Sequence, residues 1–172
     1  MAASGKLIAK RQKLNAERLR QLLHYDPKTG IFTRRITRYG WPAGTRAGTR
    51  RPDGRYQIHV DGNAYLASHL AWLYMTGEWP DGLVDHRNLN KSDDRWENLR
   101  LATKAQNATN SRRNRLNTTG YKGVSRWRGK FRATIRVNTK QKHLGIFDDP
   151  ISAWYAYRRA ARRYHGKFAR TE

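Results

Sequence analysis

The segment from residue 83 to residue 107 constrains the fold most, because its polarity pattern changes three times in a short stretch. The apolar pair Leu83-Val84 predicts the end of a short buried strand, and residues 87–97 are polar enough to form a loop. Leu99-Arg100-Leu101 alternates in polarity and predicts a second strand. Thr103 suits a helix N-cap, so a helix is expected directly afterwards. The order strand, loop, strand, helix indicates an α+β fold.

Four side chains of this segment can carry chemistry together: Asp85, His86, Asn98 and Asn107. The pattern places Asp85 and His86 at the exposed edge of the first strand and Asn107 in the first turns of the helix, so that the three can converge. A neutral imidazole accepts a proton from water near pH 7, and a carboxylate with an amide holds a hard divalent ion. Asn98 suits an orienting role, bonding the loop that carries His86. These groups fit phosphodiester hydrolysis. On residue types alone the motif is weak, because Asn and Asp in loops usually make only the hydrogen bonds of turns, and that is the alternative.

The overall charge of the chain points to a polyanionic partner. The 172 residues carry a formal net charge of +23, from 36 Lys and Arg against 13 Asp and Glu. Basic residues occur in every segment, so the folded surface is positive and nucleic acid is the expected partner. A ribosomal-type or merely soluble basic protein is the alternative. No apolar run approaches the roughly 20 residues of a membrane span, and the N-terminus lacks the apolar region of a signal peptide.

The chain has no cysteine. Disulfides, thiolate zinc sites and cysteine nucleophiles are therefore excluded, and a reducing cytosol is the compatible location. No structural zinc is expected, and a metal ion has to be held by oxygen and imidazole ligands.

The N-terminal part is predicted to hold an arm, a helix, a strand and a loop. Residues 1–15 form a basic flexible arm or, alternatively, a solvated tail. Asn15 suits the N-cap of a helix that runs through Leu23 and stops at Tyr25-Asp26-Pro27. Ile31-Phe32-Thr33 predicts a strand. Residues 40–54 are rich in Gly, Arg and Pro, which indicates a loop.

A hairpin and a helix are expected next. Residues 56–60 and 64–66 predict two strands joined by the turn Asp61-Gly62, and a helix follows until Gly77. His59 and His69 are assigned structural roles, with contact to DNA or metal as the alternative.

Residues 111–117 lack an apolar period and predict a basic linker, so a second module is expected over residues 118–172. In residues 130–137 basic and polar side chains alternate with apolar ones, which gives the strand one basic face and one apolar face. A further strand is predicted over 142–147, and Asp149-Pro150 begins a helix that ends at Gly166 and packs beneath the sheet. The basic face is either merely solvated or lies against a DNA groove.

The central motifs resemble those of HNH homing endonucleases of phage and bacterial type. The resemblance spans roughly residues 56–110 and rests on residues 70–80, Val84-Asp85-His86, residues 93–100 and Ala105-Gln106-Asn107. It implies a ββα-metal (His-Me finger) core over about residues 82–110, within a nuclease region spanning 16–110, and one divalent ion, Mg²⁺ or Mn²⁺. It also implies His86 as general base, Asp85 and Asn107 as metal ligands, and Asn98 as a structural amide.

The chain departs from this family pattern at three positions in the loop. Leu89 stands where the family usually has Gly, Asp94 where it commonly has Asn, and Arg87 where an apolar residue is usual. None of the three is a ligand implied by the resemblance, and all belong to the loop that orients His86.

The C-terminal module resembles an AP2 DNA-binding domain over about residues 118–169. The resemblance implies a three-stranded antiparallel sheet plus a helix. Its first turn region, residues 126–128, is one residue shorter than in plant members. The residues expected to contact DNA are Lys122, Arg126, Trp127, Arg128, Lys130, Arg132, Thr134, Arg136 and His143.

The sequence therefore predicts a metal-dependent, site-specific DNA endonuclease of homing type, in which the AP2-like module recognises the target. The expected partner is double-stranded DNA and not a membrane, and the expected state is a monomer or a homodimer. A phage or mobile element would encode it, and it would act in the cytoplasm of a bacterial host. The alternatives are a DNA-binding regulator with a degenerate, inactive HNH centre, and a structural RNA-binding protein.

Overall fold

The computed structural model describes residues 14–110, 114, 116–138 and 140–171. The chain divides into two compact units, with the boundary between Leu101 and Ala102. Residues 1–13 of the predicted arm, and residues 111–113 and 115 of the predicted linker, lie outside the described residues. Among the described residues no helix has the length and apolar character needed to cross a membrane.

The first unit begins with a short capped helix that leads into a hairpin. Helix α1 (Ala16–Leu22) is capped by Asn15, whose side chain accepts a hydrogen bond from the backbone N–H of Arg18 at 2.8 Å. Strand β1 (Leu23–Asp26) then pairs antiparallel with β2 (Ile31–Arg34). The predicted continuation of the helix through Leu23 is wrong. The turn at residues 26–30 brings β2 back alongside, and pairing with it outweighs one more residue of helix.

A three-stranded antiparallel sheet and a helix complete the core of this unit. Its strands are β3 (Thr49–Arg50), β4 (Tyr56–Val60) and β5 (Asn63–Leu66), in that order. Helix α2 (Ala67–Thr76) follows and ends at Gly77, as predicted. The loop predicted for residues 40–54 is wrong at β3, which pairs with Tyr56 and Gln57. Large apolar side chains from α1, both sheets and α2 form the core, among them Leu19, Phe32, Ile58, Leu70 and Leu73.

Strand β6 (Leu83–His86) pairs with β7 (Leu99–Ala102), and a 3₁₀ turn at Trp96–Asn98 precedes β7. The strands match the prediction, but the predicted burial along β6 is reversed. Leu83 is 39% exposed, whereas Asp85 and His86 are each only 5% exposed. The polar pair is buried because each of its members has a charged hydrogen-bond partner, and such partners offset the cost of removing a polar group from water.

The second unit contains a sheet packed on a long helix. After helix α3 (Lys104–Thr109) come strands β8 (Val124–Trp127), β9 (Lys130–Val137) and β10 (Lys140–Phe147), with β9 central and antiparallel to both neighbours. Helix α4 (Pro150–His165) is capped by Asp149, as predicted, and a 3₁₀ turn (Gly166–Phe168) follows. The apolar face of β9 packs against small residues of α4, with Ala133 and Ala153 both fully buried.

Candidate functional site

The two buried polar residues at the end of β6 each have a charged partner. His86 Nε2 lies 2.9 Å from Asp94 Oδ1, and Asp94 is 3% exposed. A carboxylate oxygen accepts hydrogen bonds, so Nε2 carries a hydrogen and donates the hydrogen bond to Asp94 Oδ1. In a neutral His86 the lone pair is therefore on Nδ1. The Asp94 contact therefore fixes the tautomer and the orientation of the imidazole.

Asp85 is paired with Arg100 of the neighbouring strand. Its Oδ2 accepts hydrogen bonds from Arg100 Nε and Nη2, both at 2.9 Å, and both side chains are buried. A buried carboxylate is retained only with such compensation, because an unpaired charge in the interior is costly. A carboxylate offers about four lone-pair positions on its two oxygens, so the guanidinium does not exhaust the capacity of Asp85 to act as a ligand.

Asn98 makes the contacts predicted for an orienting amide. Its Oδ1 accepts from the backbone N–H of Asn88 at 3.0 Å, and its Nδ2 donates to the Asp93 carbonyl at 2.7 Å. These bonds join the two ends of the loop between β6 and β7. The loop is further fixed by Asp93, which accepts two hydrogen bonds from the Arg95 guanidinium at 2.8 Å. The Arg95 contact lowers the pKa of Asp93 to about 2.

The N-terminal hairpin supports the backbone of Asp94. The Tyr25 hydroxyl donates to the Asp94 carbonyl at 2.6 Å, and burial raises the pKa of Tyr25 well above its usual range, which keeps this donor protonated. The N–H of Trp96 donates to the Pro27 carbonyl at 3.0 Å. Gly30 packs so closely that a Cβ there would lie 2.5 Å from the Arg95 nitrogen. The residue that binds His86 is thus held from outside its own loop.

The remaining residue implied as a metal ligand, Asn107, lies on α3 of the second unit and is exposed. The predicted cap is present. Thr103 accepts a hydrogen bond from the N–H of Gln106, and the Gln106 side chain accepts one from the N–H of Thr103. Within the described ranges no group of three or more His, Asp or Glu side chains is arranged to hold a metal ion. Asp85 offers a carboxylate oxygen and Asn107 an amide oxygen, and both are donor types of hard divalent ions.

Sequence reasoning missed two of the contacts at this centre. In the sequence, Asp94 stands out only as a departure from the HNH family pattern, and Arg100 only as part of an alternating strand. The sequence signal for Asp94 is its own acidic side chain, which follows Asp93 in the loop after Asp85-His86. For Arg100 no local signal existed, because its partner lies fifteen residues earlier on another strand.

In the second unit the strand register sorts the predicted DNA-contacting residues between two faces. Residues directly opposite in an antiparallel pair share a face. Lys130 lies opposite Trp127, Thr134 opposite His143, and Arg136 opposite Gln141. The face not covered by α4 therefore carries six of the predicted residues: Trp127, Lys130, Arg132, Thr134, Arg136 and His143.

Two arginines lie against the Trp127 ring on this uncovered face. The Arg132 guanidinium lies 4.5 Å from the centre of the Trp127 ring, and its buried Nε finds no hydrogen-bond partner among the described residues. Arg128, in the turn between β8 and β9, lies 5.5 Å from the same ring. Lys130 forms an exposed ion pair with Asp148 at 2.7 Å.

Two predicted residues lie elsewhere. Arg126 is opposite Phe131, on the face that packs against α4, and its guanidinium lies 5.4 Å from the Phe131 ring centre. Lys122 Nζ donates to the Thr109 carbonyl at 3.0 Å, and burial together with the nearby Arg170 lowers the pKa of Lys122 to about 8.

Comparison with known proteins gives two matches. The family model described as HNH endonuclease matches residues 65–109. Protein 3.8 of Escherichia phage T7 is 36% identical over 104 residues, which cover 58% of this chain and 84% of that protein. No solved structure matches the chain.

Proposed function

The chain belongs to the family of Protein 3.8 of Escherichia phage T7 and contains an HNH endonuclease domain at residues 65–109, and from this premise we propose that it is a metal-dependent, site-specific DNA endonuclease of homing type. Its substrate is the phosphodiester backbone of double-stranded DNA. It acts as a monomer or homodimer in the cytoplasm of a bacterium that harbours the phage or mobile element encoding it.

The observation that carries the proposal is the buried hydrogen bond between His86 and Asp94 inside the matched segment. With Nε2 committed to Asp94, Nδ1 of His86 accepts a proton from a water molecule. The water oxygen then bonds to the phosphorus atom, and the bond from phosphorus to the 3′ oxygen breaks with its electron pair on that oxygen. Asn98 keeps the imidazole in place through its bonds to the loop.

Asp85 of the first unit and Asn107 of the second each provide an oxygen donor of the kind that Mg²⁺ or Mn²⁺ prefers. When bound, such an ion neutralises charge on the scissile phosphate and on the leaving oxygen. Arg100 has a distinct task in this scheme. It fixes the position of the Asp85 carboxylate through two hydrogen bonds to Oδ2.

The uncovered sheet face of the second unit supports a role in target recognition of the AP2 type. Its Arg132, Arg136 and Lys130 side chains suit phosphate and base contacts, and the stacked Trp127 provides a flat apolar surface. Residues 118–172 contain 14 Lys and Arg against 3 Asp and Glu. We expect binding through this module to fall by roughly 0.9 log unit per log unit of salt for each phosphate neutralised.

The nuclease assignment is tested with supercoiled plasmid in Mg²⁺ or Mn²⁺, comparing the wild type with His86→Ala. The control is His24→Ala, which removes an exposed histidine of the same unit. We expect the wild type and the control to open or linearise the plasmid, and His86→Ala to act at least about 100-fold more slowly because the general base is lost. A His86→Ala protein that cuts as well as the wild type refutes the mechanism. Mapping the cut ends then identifies the target.

A second candidate is a DNA-binding regulator with an inactive HNH centre. The observations that favour it are the deep burial of Asp85 and His86 and the left-handed backbone of Leu89, at φ +63° in the loop that carries His86. The plasmid assay separates the two, because a regulator retards the DNA without converting it to open or linear forms in either metal.

A further inference from the structure

A further hairpin in the first unit, formed by residues 33–46, has no part in the site described above. Thr33 and Arg46 form an antiparallel bridge at its base, and Arg38 and Trp41 form another at its tip. The two residues between them, Tyr39 and Gly40, both have positive φ, at +52° and +77°. This is the backbone of a tight two-residue hairpin turn.

The hairpin is held in shape by its own hydrogen bonds. Arg38 and Trp41 exchange two backbone bonds of 3.0 Å, and Gly44 N–H donates to the Arg34 carbonyl at 2.7 Å. A side-chain bond from the Ala43 N–H to Thr37 Oγ1, at 3.1 Å, spans the middle. The tip is therefore a preformed projection and not a loose loop.

Large apolar side chains on this projection are left in water. Ile36 is 45% exposed, Trp41 58% and Tyr39 78%. Scattered exposed apolar residues are ordinary, but a group of them marks an interaction site. Tyr39 also occupies the left-handed region, which is unfavourable for a bulky residue and persists where function requires the side chain.

The charged residues of the hairpin segment itself are all arginines. Residues 34–51 contain no acidic residue and no lysine but six arginines: Arg34, Arg35, Arg38, Arg46, Arg50 and Arg51. Two of them stack on the exposed rings. The Arg34 guanidinium lies 4.6 Å from the Trp41 ring centre, and that of Arg38 lies 4.7 Å from the Tyr39 ring centre. Arg38 also pairs with Asp61 at 2.6 Å, which fixes its position.

We propose that the hairpin of residues 33–46 is a second DNA-binding element, which enters the major groove with Tyr39 and Trp41 against the base edges. The arginines that flank the rings would contact phosphates. A two-stranded ribbon matches the major groove, about 12 Å wide, and not the minor groove, about 6 Å wide. An arginine-rich surface is complementary to a polyanion, whereas a second copy of this chain, with its net charge of +23, offers no such complement. The proposal rests on the proposed function, since it takes double-stranded DNA as the substrate.

The first test measures the affinity of the full chain for a mixed-sequence DNA duplex in EDTA, where binding is separated from cleavage. The variant is Tyr39→Ala combined with Trp41→Ala, and the control is Tyr155→Ala, an exposed tyrosine on α4 of the other unit. We expect the double variant to bind at least about 5-fold more weakly, since loss of contacts to base edges lowers duplex affinity by that order, and the control to bind like the wild type.

The second test keeps the inference falsifiable if the double variant is unstable. A photoreactive phenylalanine analogue is placed at position 39 or, in a separate protein, at position 155, and each is irradiated with the duplex. The inference requires cross-links to DNA from position 39 and none from position 155. Unchanged affinity of a folded double variant overturns it, as do cross-links from position 39 to protein only. If either of these results is obtained while the wild type cuts plasmid, only the hairpin inference fails and the proposed function stands. If position 39 cross-links to DNA but the wild type never cuts plasmid, only the nuclease assignment fails.

Discussion

Replacing Gly30 with alanine should show that the N-terminal hairpin holds the Asp94 backbone. The new Cβ would lie 2.5 Å from the Arg95 nitrogen, 2.5 Å from the Asp94 carbonyl carbon and 2.9 Å from its oxygen. All three are backbone atoms, so no side-chain rotation relieves the clash. Overpacking of this kind costs about 1–3 kcal/mol, and the left-handed φ of +73° adds about 1 kcal/mol.

Gly62→Ala is the matched control, because Gly62 has almost the same φ, +75°, and nothing lies within 4 Å of its Cβ position. We expect urea denaturation to give a loss of about 1 kcal/mol for Gly62→Ala and about 2–4 kcal/mol for Gly30→Ala. Plasmid cleavage, measured where both variants are folded, should fall more for Gly30→Ala, because displacement of Asp94 misplaces His86. The usual scatter of surface substitutions is about 0.5 kcal/mol. If the two variants lose unfolding free energies that agree within this scatter, the packing at Gly30 is not rigid and the reasoning is refuted.

Three further outcomes follow from the loop between β6 and β7. Asp94→Ala leaves the His86 Nε2 donor without its acceptor. It should lower the unfolding free energy by about 1–3 kcal/mol and the plasmid cleavage rate by about 10- to 100-fold. Asp94→Asn keeps an acceptor oxygen and should lose less in both urea denaturation and plasmid cleavage. Leu89→Gly relieves the left-handed strain at φ +63° and should stabilise the protein by up to about 1 kcal/mol in urea, and a destabilised variant would contradict this. The pKa of Asp93 is lowered to about 2, so its contact with Arg95 stabilises the fold above pH 4 and is lost as the pH falls toward 2. Arg95→Ala should therefore flatten the pH dependence of the unfolding free energy in that window, and an unchanged slope would speak against the contact.

Short-range features were predictable from the sequence because their causes are local. Asp61-Gly62 forms the hairpin turn between β4 and β5, and Thr103 and Asp149 cap their helices as expected. Each of these depends on residues within a few positions of one another, so the pattern contains the necessary information. The alternation in residues 130–137 likewise matches the buried and uncovered faces of β9.

The arrangement of the candidate site was not predictable, because its contacts join residues that are distant in sequence. Tyr25 binds the Asp94 carbonyl across 69 positions, and Arg100 binds Asp85 across 15. Apolar Leu83 and Val84 predict that β6 is buried at its start. The structure instead buries its polar end, because Asp85 and His86 have the charged partners Arg100 and Asp94. Leu23 shows the same limitation in the backbone, since its conformation is decided by the returning strand β2 and not by its own helical spacing.

The support that Tyr25, Pro27 and Gly30 give to the Asp94 segment bears on how an HNH domain of this kind can be transferred between proteins. The portion that matches the HNH family, residues 65–109, contains His86 and Asp94 but not the turn that braces them. A transferred segment limited to residues 65–109 would contain His86 and Asp94 without the contacts from Tyr25, Pro27 and Gly30 that support them. We therefore expect a transferable segment to begin at or before Tyr25, about forty positions upstream of the matched portion. Recombination breakpoints between Tyr25 and residue 65 should yield proteins that bind DNA but cut it poorly.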